Sequence, residues 1–286
     1  MKIELVFITY NRLDYTRLSL ASVLSDPTEQ FMLTIWDNAS TDGTVEYLKN
    51  NVSDSRIKDI ILSKENIGQT AAVNKVWGKS NAELLGKLDN DCLVTPGWTR
   101  ALSKAQHDID NLGVVACWPF FSHDFSYQKA MHKIQKFGDH RILRHPWTCG
   151  TGLLIKNETY RKCGPIENRA TTQYWLKVAR AGYVNGFYFP LILQEHMDDP
   201  MSKYCRSNNE ISFAQARKVT FGMQSGNYHD WAGRFDWRKE ILRNLLEDPY
   251  DVQYYAGWRA KWRRLQKKIR QRENNGKAVW KKHRNE

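Results

Sequence analysis

The first 121 residues alternate between short β-rich runs and segments whose apolar residues recur with helical spacing. Leu13, Leu18 and Leu24, for example, follow the period of roughly 3.6 residues that indicates an amphipathic helix. The predicted strands are IELVFITY, FMLTIWDNAS, IKDIILSKE, AELLGKLDND and LGVVACWPFF, and the predicted helices between them are NRLDYTRLSLASVLS, TDGTVEYLKNN, TAAVNKVWGKS and WTRALSKAQHD. This alternation predicts an α/β fold, a mostly parallel sheet with helices on both faces.

Polar side chains cluster where these predicted strands end. In open parallel sheets, ligands bind beyond the carboxyl ends of the strands, so these side chains are candidate ligand contacts. The candidates are Thr9, Asn11, Asp37, Asn66, Asp89 and Asp91.

Asp89 and Asp91 lie one residue apart in GKLDNDCLVTPGW, directly after a predicted strand. Two carboxylates that close repel each other unless a cation lies between them. Hard cations such as Mg²⁺ and Mn²⁺ prefer carboxylate oxygens and complete their shell with water and substrate phosphates. An exposed turn or a helix cap is the alternative for this pair on its own.

The ordered motifs resemble the family-2 glycosyltransferases, which have the GT-A fold. The matching stretches are FITYNRLDYTRLSLASVL, IWDNASTDGT, KENIGQTAAVNKVW, GKLDNDCLVTPGW and TCGTGLLIKNETYRKCGPI. The resemblance implies a nucleotide-sugar donor, expected to be UDP-linked, whose diphosphate is held by Mn²⁺ or Mg²⁺ on Asp89 and Asp91. It also implies that Asp37 contacts the nucleobase and that Thr9, Asn11, Asn66 and Gly68 line the nucleotide pocket.

Simpler roles stay open for several of these residues. Asp37 is also placed to cap the following helix, and Asn66 to shape the turn before Gly68. Lys87 flanks the predicted metal site, where it either offsets phosphate charge or is solvated.

The CGTG stretch is a candidate acceptor site. Gly150 and Gly152 lack a Cβ and allow a ligand to approach the backbone closely. The resemblance places this region near the acceptor. Trp147 is expected either to stack on a sugar ring or a base, or to pack in the core.

The general base is where the sequence departs from the family. Inverting members carry an acidic pair before a helix of the ARAGY type, but the matching positions here are Ala170, Thr171 and Gln173. Glu167 is the nearest carboxylate and is the first candidate base, with Asp198 as the second. A retaining mechanism, which needs neither, stays open.

His196 follows the apolar run FYFPLIL and is therefore expected at the end of another strand. Some GT-A enzymes complete the metal shell with a histidine downstream of the two aspartates, which makes His196 the third candidate ligand. A surface histidine is the alternative.

The positive charge is concentrated at the C-terminal end. Twelve Lys or Arg and two Glu lie between 259 and 286, a balance of +10 that leaves about +2 of the total +12 for the rest of the chain. Tyr254, Trp258, Trp262, Leu265 and Ile269 form an apolar stripe at helical spacing through this segment. We therefore divide the chain into a GT-A catalytic domain, 1–225, and a helical, basic and aromatic extension, 226–286.

Three roles are open for the extension. An amphipathic basic helix is typical of an anionic membrane surface, a nucleic-acid arm has the same composition, and the stripe is also compatible with packing on the catalytic domain. The five cysteines are odd in number and lack CxxC spacing, which favours free thiols in the cytoplasm. No apolar run approaches the roughly 18 residues of a membrane span.

The sequence therefore predicts a cytoplasmic glycosyltransferase, associated with the inner face of a membrane, that acts on a membrane-associated glycan or glycolipid. Two alternatives stay open: transfer to modified DNA through the basic tail, and a nucleotide-sugar-binding module without activity.

Overall fold

The computed structural model describes residues 2–25, 31–167, 171–217 and 226–233, together with 258, 261, 262 and 265. The strands are β1 (Ile3–Thr9), β2 (Met32–Asp37), β3 (Ile57–Leu62), β4 (Leu84–Asp89), β5 (Cys92–Val94), β6 (Leu112–Ala116), β7 (Ile134–Phe137), β8 (His140–Arg144), β9 (Leu153–Lys156), β10 (Val184–Phe189) and β11 (Gln194–His196). The α-helices are α1 (Leu13–Leu24), α2 (Thr44–Asn51), α3 (Gln69–Trp77), α4 (Trp98–Asp108), α5 (Tyr127–Ala130), α6 (Asn157–Cys163), α7 (Thr171–Arg180) and α8 (Glu210–Arg217).

Within these residues, nine strands form one sheet in the order β3-β2-β1-β4-β9-β6-β10-β8-β7. The neighbours β3, β2, β1 and β4 are parallel, and so are β6 and β10. β9 runs antiparallel to β4 and β6, and β8 runs antiparallel to β10 and β7. The predicted α/β fold with a mostly parallel sheet is confirmed, and each strand and helix predicted up to β6 is present.

The sheet is buried on both faces because its strands alternate their side chains between two apolar layers. In β1, Val6 and Ile8 pack in the layer formed with α3, α6 and α7, whereas Leu5 and Phe7 pack in the layer formed with α1, α2 and α4. Both layers contain fully buried large side chains, such as Trp77 in the first and Phe7 in the second.

A second, two-stranded sheet pairs β5 with β11 and completes the carboxyl edge of the fold. Its strands are antiparallel, and His196 lies opposite Cys92. This pairing brings the segment after β10 back to the residues that follow β4, so that two distant parts of the chain meet beside Asp91.

Part of the C-terminal region is described. Phe213 of α8 packs on Trp231 with ring centroids 5.6 Å apart, across the boundary predicted at residue 225. Trp258, Trp262 and Leu265 are helical and exposed. Tyr254, Ile269 and most of the basic segment lie outside the described residues, so the division into domain and extension stays a prediction. No helix among the described residues has the length and apolarity needed to cross a membrane.

Candidate active site

The loop after β1 is fixed by the residue between the two aspartates. The Asn90 side-chain amide donates to the Thr9 hydroxyl at 3.1 Å and to the Asn11 carbonyl at 3.0 Å. Thr9 also shares a hydrogen bond with Thr16 at 2.8 Å. Because Thr9 and Asn90 are buried, this network ties the end of β1 to the turn after β4.

Asp37 ends β2 and has no exposed surface. Its carboxylate accepts a hydrogen bond from the Ser40 amide at 2.9 Å and another from the Ser40 hydroxyl. The Ser40 hydroxyl oxygen accepts a hydrogen bond from the Asn11 backbone amide at 2.7 Å, and Asn11 Oδ1 accepts one from the Thr41 backbone amide at 2.7 Å. Burial raises the pKa of Asp37 despite these donors. The structure thus joins Asp37 and Asn11, which the sequence predicted as neighbours in a nucleotide pocket.

Asn66 shapes the turn before α3. Its side-chain oxygen accepts the Gly68 amide at 2.9 Å, and Gly68 has a left-handed φ of 79° that favours glycine. The turn-forming role left open for Asn66 is therefore present, while contact with a nucleotide stays a prediction for both residues.

Lys87 is buried, with 1% of its side chain exposed, and does not lie in solvent. Its ammonium donates to both carboxylate oxygens of Asp89, at 2.6 and 2.7 Å, and to the Gly150 carbonyl at 2.7 Å. The Asp89 amide donates to the Thr151 hydroxyl at 3.0 Å. The predicted acceptor stretch is therefore attached directly to the first aspartate of the pair.

Gly152 is required by packing as well as by backbone geometry. Its φ is 60°, and a Cβ at this position would collide with the Gln194 side chain. Trp147 is half-buried against the core, and its ring meets that of His145 edge-on, with centroids 4.5 Å apart. The packing role left open for Trp147 is thus observed, and its contact with an acceptor stays a prediction.

Asp91 is held by Arg12, which also binds Asp198. Arg12 Nη1 lies 3.3 Å from Asp91 Oδ2, and Nη2 lies 2.5 Å from Asp198 Oδ1. His196 Nε2 lies 4.0 Å from the same Oδ2 atom of Asp91. The structure therefore brings together Asp91 and His196, which the sequence predicts as metal ligands, and Asp198, the second candidate base; these roles stay predictions.

The two aspartates of the pair differ in their electrostatic environment. Burial raises the pKa of Asp89 more than the Lys87 ammonium lowers it. For Asp91, burial also acts upward, but His196 and Arg12 outweigh it and lower the pKa. Asp89 is thus paired with a buried ammonium, whereas Asp91 faces His196 and Arg12.

The donor set beside Asp91 fits a divalent cation. Ligand atoms of Asp91, Cys92 and His196 all lie within 4.8 Å of one another. Burial and the neighbouring aspartates raise the pKa of the Cys92 thiol well above its usual value. Asp91 and His196, with Asp89 two residues away, form the donor set that a divalent cation such as Mn²⁺ or Mg²⁺ would use.

Glu167, the first candidate base, has a different setting from Asp198. Its side chain is 80% exposed and pairs with Lys177 at 3.0 Å. Asp198 is 9% exposed and borders a cleft of about 490 Å³ between the start of α1 and α8. The polar residues that line this cleft include Arg12, Asp42, Asp198, Arg206 and Gln215.

Sequence reasoning missed Arg12 and Asn90. Arg12 follows the polar end of the first strand in FITYNR, and Asn90 separates the two aspartates, so their positions beside candidate residues were the available signal.

Comparison with known proteins identifies the family. The family model for glycosyl transferase family 2 matches residues 4–163, which is more than half of the 286 residues. An uncharacterised glycosyltransferase of Rickettsia bellii is 32% identical over 92 residues, and the match spans 32% of this chain but only 13% of that relative.

One solved structure shares the fold, and a second is a weaker match. The mannosyltransferase PcManGT from Pyrobaculum calidifontis, solved with GDP-Man and Mn²⁺, has a TM-score of 0.57 at 16% identity, covering 97% of this chain and 82% of that one. TarS of S. aureus has a TM-score of 0.49 at 14% identity, covering 77% and 40%. Because the family match extends from β1 through α6, the chain belongs to glycosyl transferase family 2. The sheet and the structural similarity to PcManGT show that it has the GT-A fold.

Proposed function

We propose that the protein is a metal-assisted glycosyltransferase that transfers a sugar from a nucleotide-sugar donor to an acceptor hydroxyl. The observation that carries the proposal is the meeting of Asp91 and His196 beside Asp89 at the carboxyl edge of a family-2 sheet. PcManGT, which shares the fold, was solved with GDP-Man and Mn²⁺. For this chain we keep UDP as the expected nucleotide.

Each part of the site has a proposed task. Asp91 and His196 would hold the cation, with Asp89 beside them. When bound, a divalent cation neutralises the diphosphate leaving group. Asp37 and Asn11 lie at the nucleotide end, where Asp37 is positioned to accept a hydrogen bond from a base or ribose.

We propose Asp198 over Glu167 as the general base if the reaction inverts the anomeric carbon. Asp198 shares Arg12 with Asp91 and borders the cleft, whereas Glu167 is exposed and paired with Lys177. A general base typically contributes about 10²–10⁴-fold to the rate. NMR of the product's anomeric configuration decides between inversion and retention, and inversion with a near-normal rate in Asp198→Asn would exclude this base.

The experiment that tests the metal-assisted activity uses Asp91→Asn. We expect loss of Mn²⁺-dependent hydrolysis across a panel of nucleotide sugars, with an unchanged far-UV circular dichroism spectrum. Lys177→Met is the matched control because it removes a charge from an exposed pair on α7. Full activity of Asp91→Asn in chelator, at the rate that wild type shows with Mn²⁺, would refute the metal role.

We propose a membrane-borne glycan or glycolipid as the acceptor. Two features support binding to an anionic bilayer: the charge balance of +10 over 259–286, and the exposed side chains of Trp258, Trp262 and Leu265. Each basic residue near such a surface contributes about 1 kcal/mol to the binding free energy. Deleting 251–286 should preserve donor hydrolysis and abolish flotation with phosphatidylserine vesicles.

The same charge favours nucleic acid as a second candidate acceptor. A DNA gel shift at matched salt, run on the full and shortened proteins, separates the two candidates. Tighter binding to DNA than to vesicles, with a steep salt dependence, would favour the second.

A further inference from the structure

Arg12 lies between two candidate site residues, Asp91 and Asp198, although it has no assigned role so far. Its guanidinium bridges Asp91 and Asp198 with one nitrogen on each, and its side chain is only 11% exposed. The guanidinium carbon also lies 4.1 Å from the centre of the Tyr15 ring. Burial acts to lower the pKa of Arg12, but Asp198 and Asp91 outweigh it, so the charge is held in place.

The backbone is shaped to place this side chain. Asn11 and Arg12 are consecutive left-handed residues, with φ of 53° and 64°. The left-handed region is unfavourable for a residue other than glycine, and arginine tolerates it less well than asparagine does. The contacts of Asn11 with Ser40, Thr41 and Asn90 hold the turn. The strain is therefore maintained by the loop that directs Arg12 toward the aspartates.

Arg12 and a cation would contend for the same atom. Asp91 Oδ2 accepts from Arg12 Nη1 and is also the oxygen that lies 4.0 Å from His196 Nε2. A cation bound between Asp91 and His196 needs the lone pairs of this oxygen, and its double charge repels a guanidinium at contact distance. Asp198 gives Arg12 a second carboxylate, so Arg12 is able to give up Asp91 without losing every partner.

We propose that Arg12 is a built-in counter-ion that competes with the divalent cation for Asp91 and thereby sets the affinity of the site for metal. This inference rests on the proposed metal role of Asp91. Without the cation, Arg12 pairs with Asp91 and Asp198 together and offsets one of their two negative charges. With the cation bound, Arg12 retains Asp198 and releases Asp91.

The test is a Mn²⁺ titration of the nucleotide-free protein, in which the electron paramagnetic resonance signal of free Mn²⁺ measures how much of the ion is bound. Arg12→Gln should bind Mn²⁺ about tenfold more tightly than wild type, equivalent to about 1.4 kcal/mol. Arg12→Lys keeps the charge but lacks the planar fork that spans two carboxylates, so its affinity should lie between the two.

Arg206→Gln is the matched control. Arg206 lies near Tyr15 at 5.7 Å but pairs with Asp14, so the variant removes one positive charge nearby without touching Asp91. We expect less than a twofold change. An equal gain in Arg206→Gln and Arg12→Gln would show a general charge effect and overturn the inference.

Asp91→Asn separates the two proposals. If it abolishes Mn²⁺ binding while Arg12→Gln and Arg12→Lys bind Mn²⁺ like wild type, the role of Arg12 is refuted and the metal site stands. If Asp91→Asn binds Mn²⁺ normally, the metal site itself is wrongly placed and the inference falls with it. If Arg12→Gln does not fold, unchanged affinity in Arg12→Lys overturns the inference by itself.

Discussion

Replacing Lys87 by methionine tests the link between the two halves of the site. Lys87 Nζ contacts both oxygens of Asp89 and the Gly150 carbonyl, and the side chain is 1% exposed. Methionine fills a similar volume but removes the charge and all three donated hydrogen bonds. The change leaves the Asp89 carboxylate and the Gly150 carbonyl without this partner.

The expected loss follows from burial. Removing one partner of a buried ion pair costs about 3–5 kcal/mol, because the other charge stays buried. Asp89 retains 24% side-chain exposure, and water recovers part of that cost. The unpaired Gly150 carbonyl adds about 1 kcal/mol or more. We therefore expect Lys87→Met to lower the free energy of unfolding by about 3 kcal/mol.

Urea unfolding of the ligand-free protein measures this loss independently of activity. Lys177→Met is the matched control because both members of its ion pair are exposed, Lys177 at 46% and Glu167 at 80%. We expect a loss of about 1 kcal/mol or less there. The double variant Lys87→Met with Asp89→Asn should regain part of the stability, since it removes the uncompensated charge.

A Lys87→Met protein as stable as wild type would refute this reasoning. So would equal losses in Lys87→Met and Lys177→Met, because burial would then not distinguish the two pairs.

Two further predictions concern the 145–152 segment. Burial lowers the pKa of His145 to about 3, so below pH 6.5 this side chain binds a proton in the unfolded chain but not in the native state. The free energy of unfolding should therefore fall by about 1.4 kcal/mol per pH unit toward acid. Urea titrations at pH 6.5 and 5 should show a smaller fall in His145→Asn than in wild type. Gly152→Ala should lower the melting temperature, because the new Cβ adds strain at a left-handed φ and collides with the Gln194 side chain. Adding Gln194→Ala should restore only the part of the loss that is due to the collision. Full restoration of the melting temperature would exclude backbone strain.

Periodicity predicted the first half of the fold because its information is local. The run Ile3–Thr9 and the helix Leu13–Leu24 each carry their pattern within a few residues, and the structure has both. The antiparallel insertion of β9 between β4 and β6 was not predicted, since pairing partners leave no mark in a single strand's composition. The β7–β8 hairpin was missed for the same reason.

The site divides in the same way. His196 was expected at a strand end and lies beside Asp91, which confirms its placement though not its role as a ligand. Arg12 was missed because its closest carboxylate, Asp198, lies 186 residues later in the chain. Lys87 was expected either to offset phosphate charge or to be solvated, and only packing shows that its side chain is buried against Asp89.

The small β5–β11 sheet is paired over only three positions, 92–94 with 194–196, and joins two segments about 100 residues apart in the chain. Gln194 of β11 is held in addition by hydrogen bonds with Trp118 and Thr151. In the large sheet, by contrast, β1 and β4 are paired over six residue pairs, and this pairing does not depend on the β5–β11 sheet. We therefore expect a partly unfolded state in which His196 and Asp198 have detached from Asp91 while Asp89 remains at the end of β4 in the intact large sheet, so that amide hydrogen exchange at β11 outpaces exchange at β4 and activity is lost before helical and sheet signals decline.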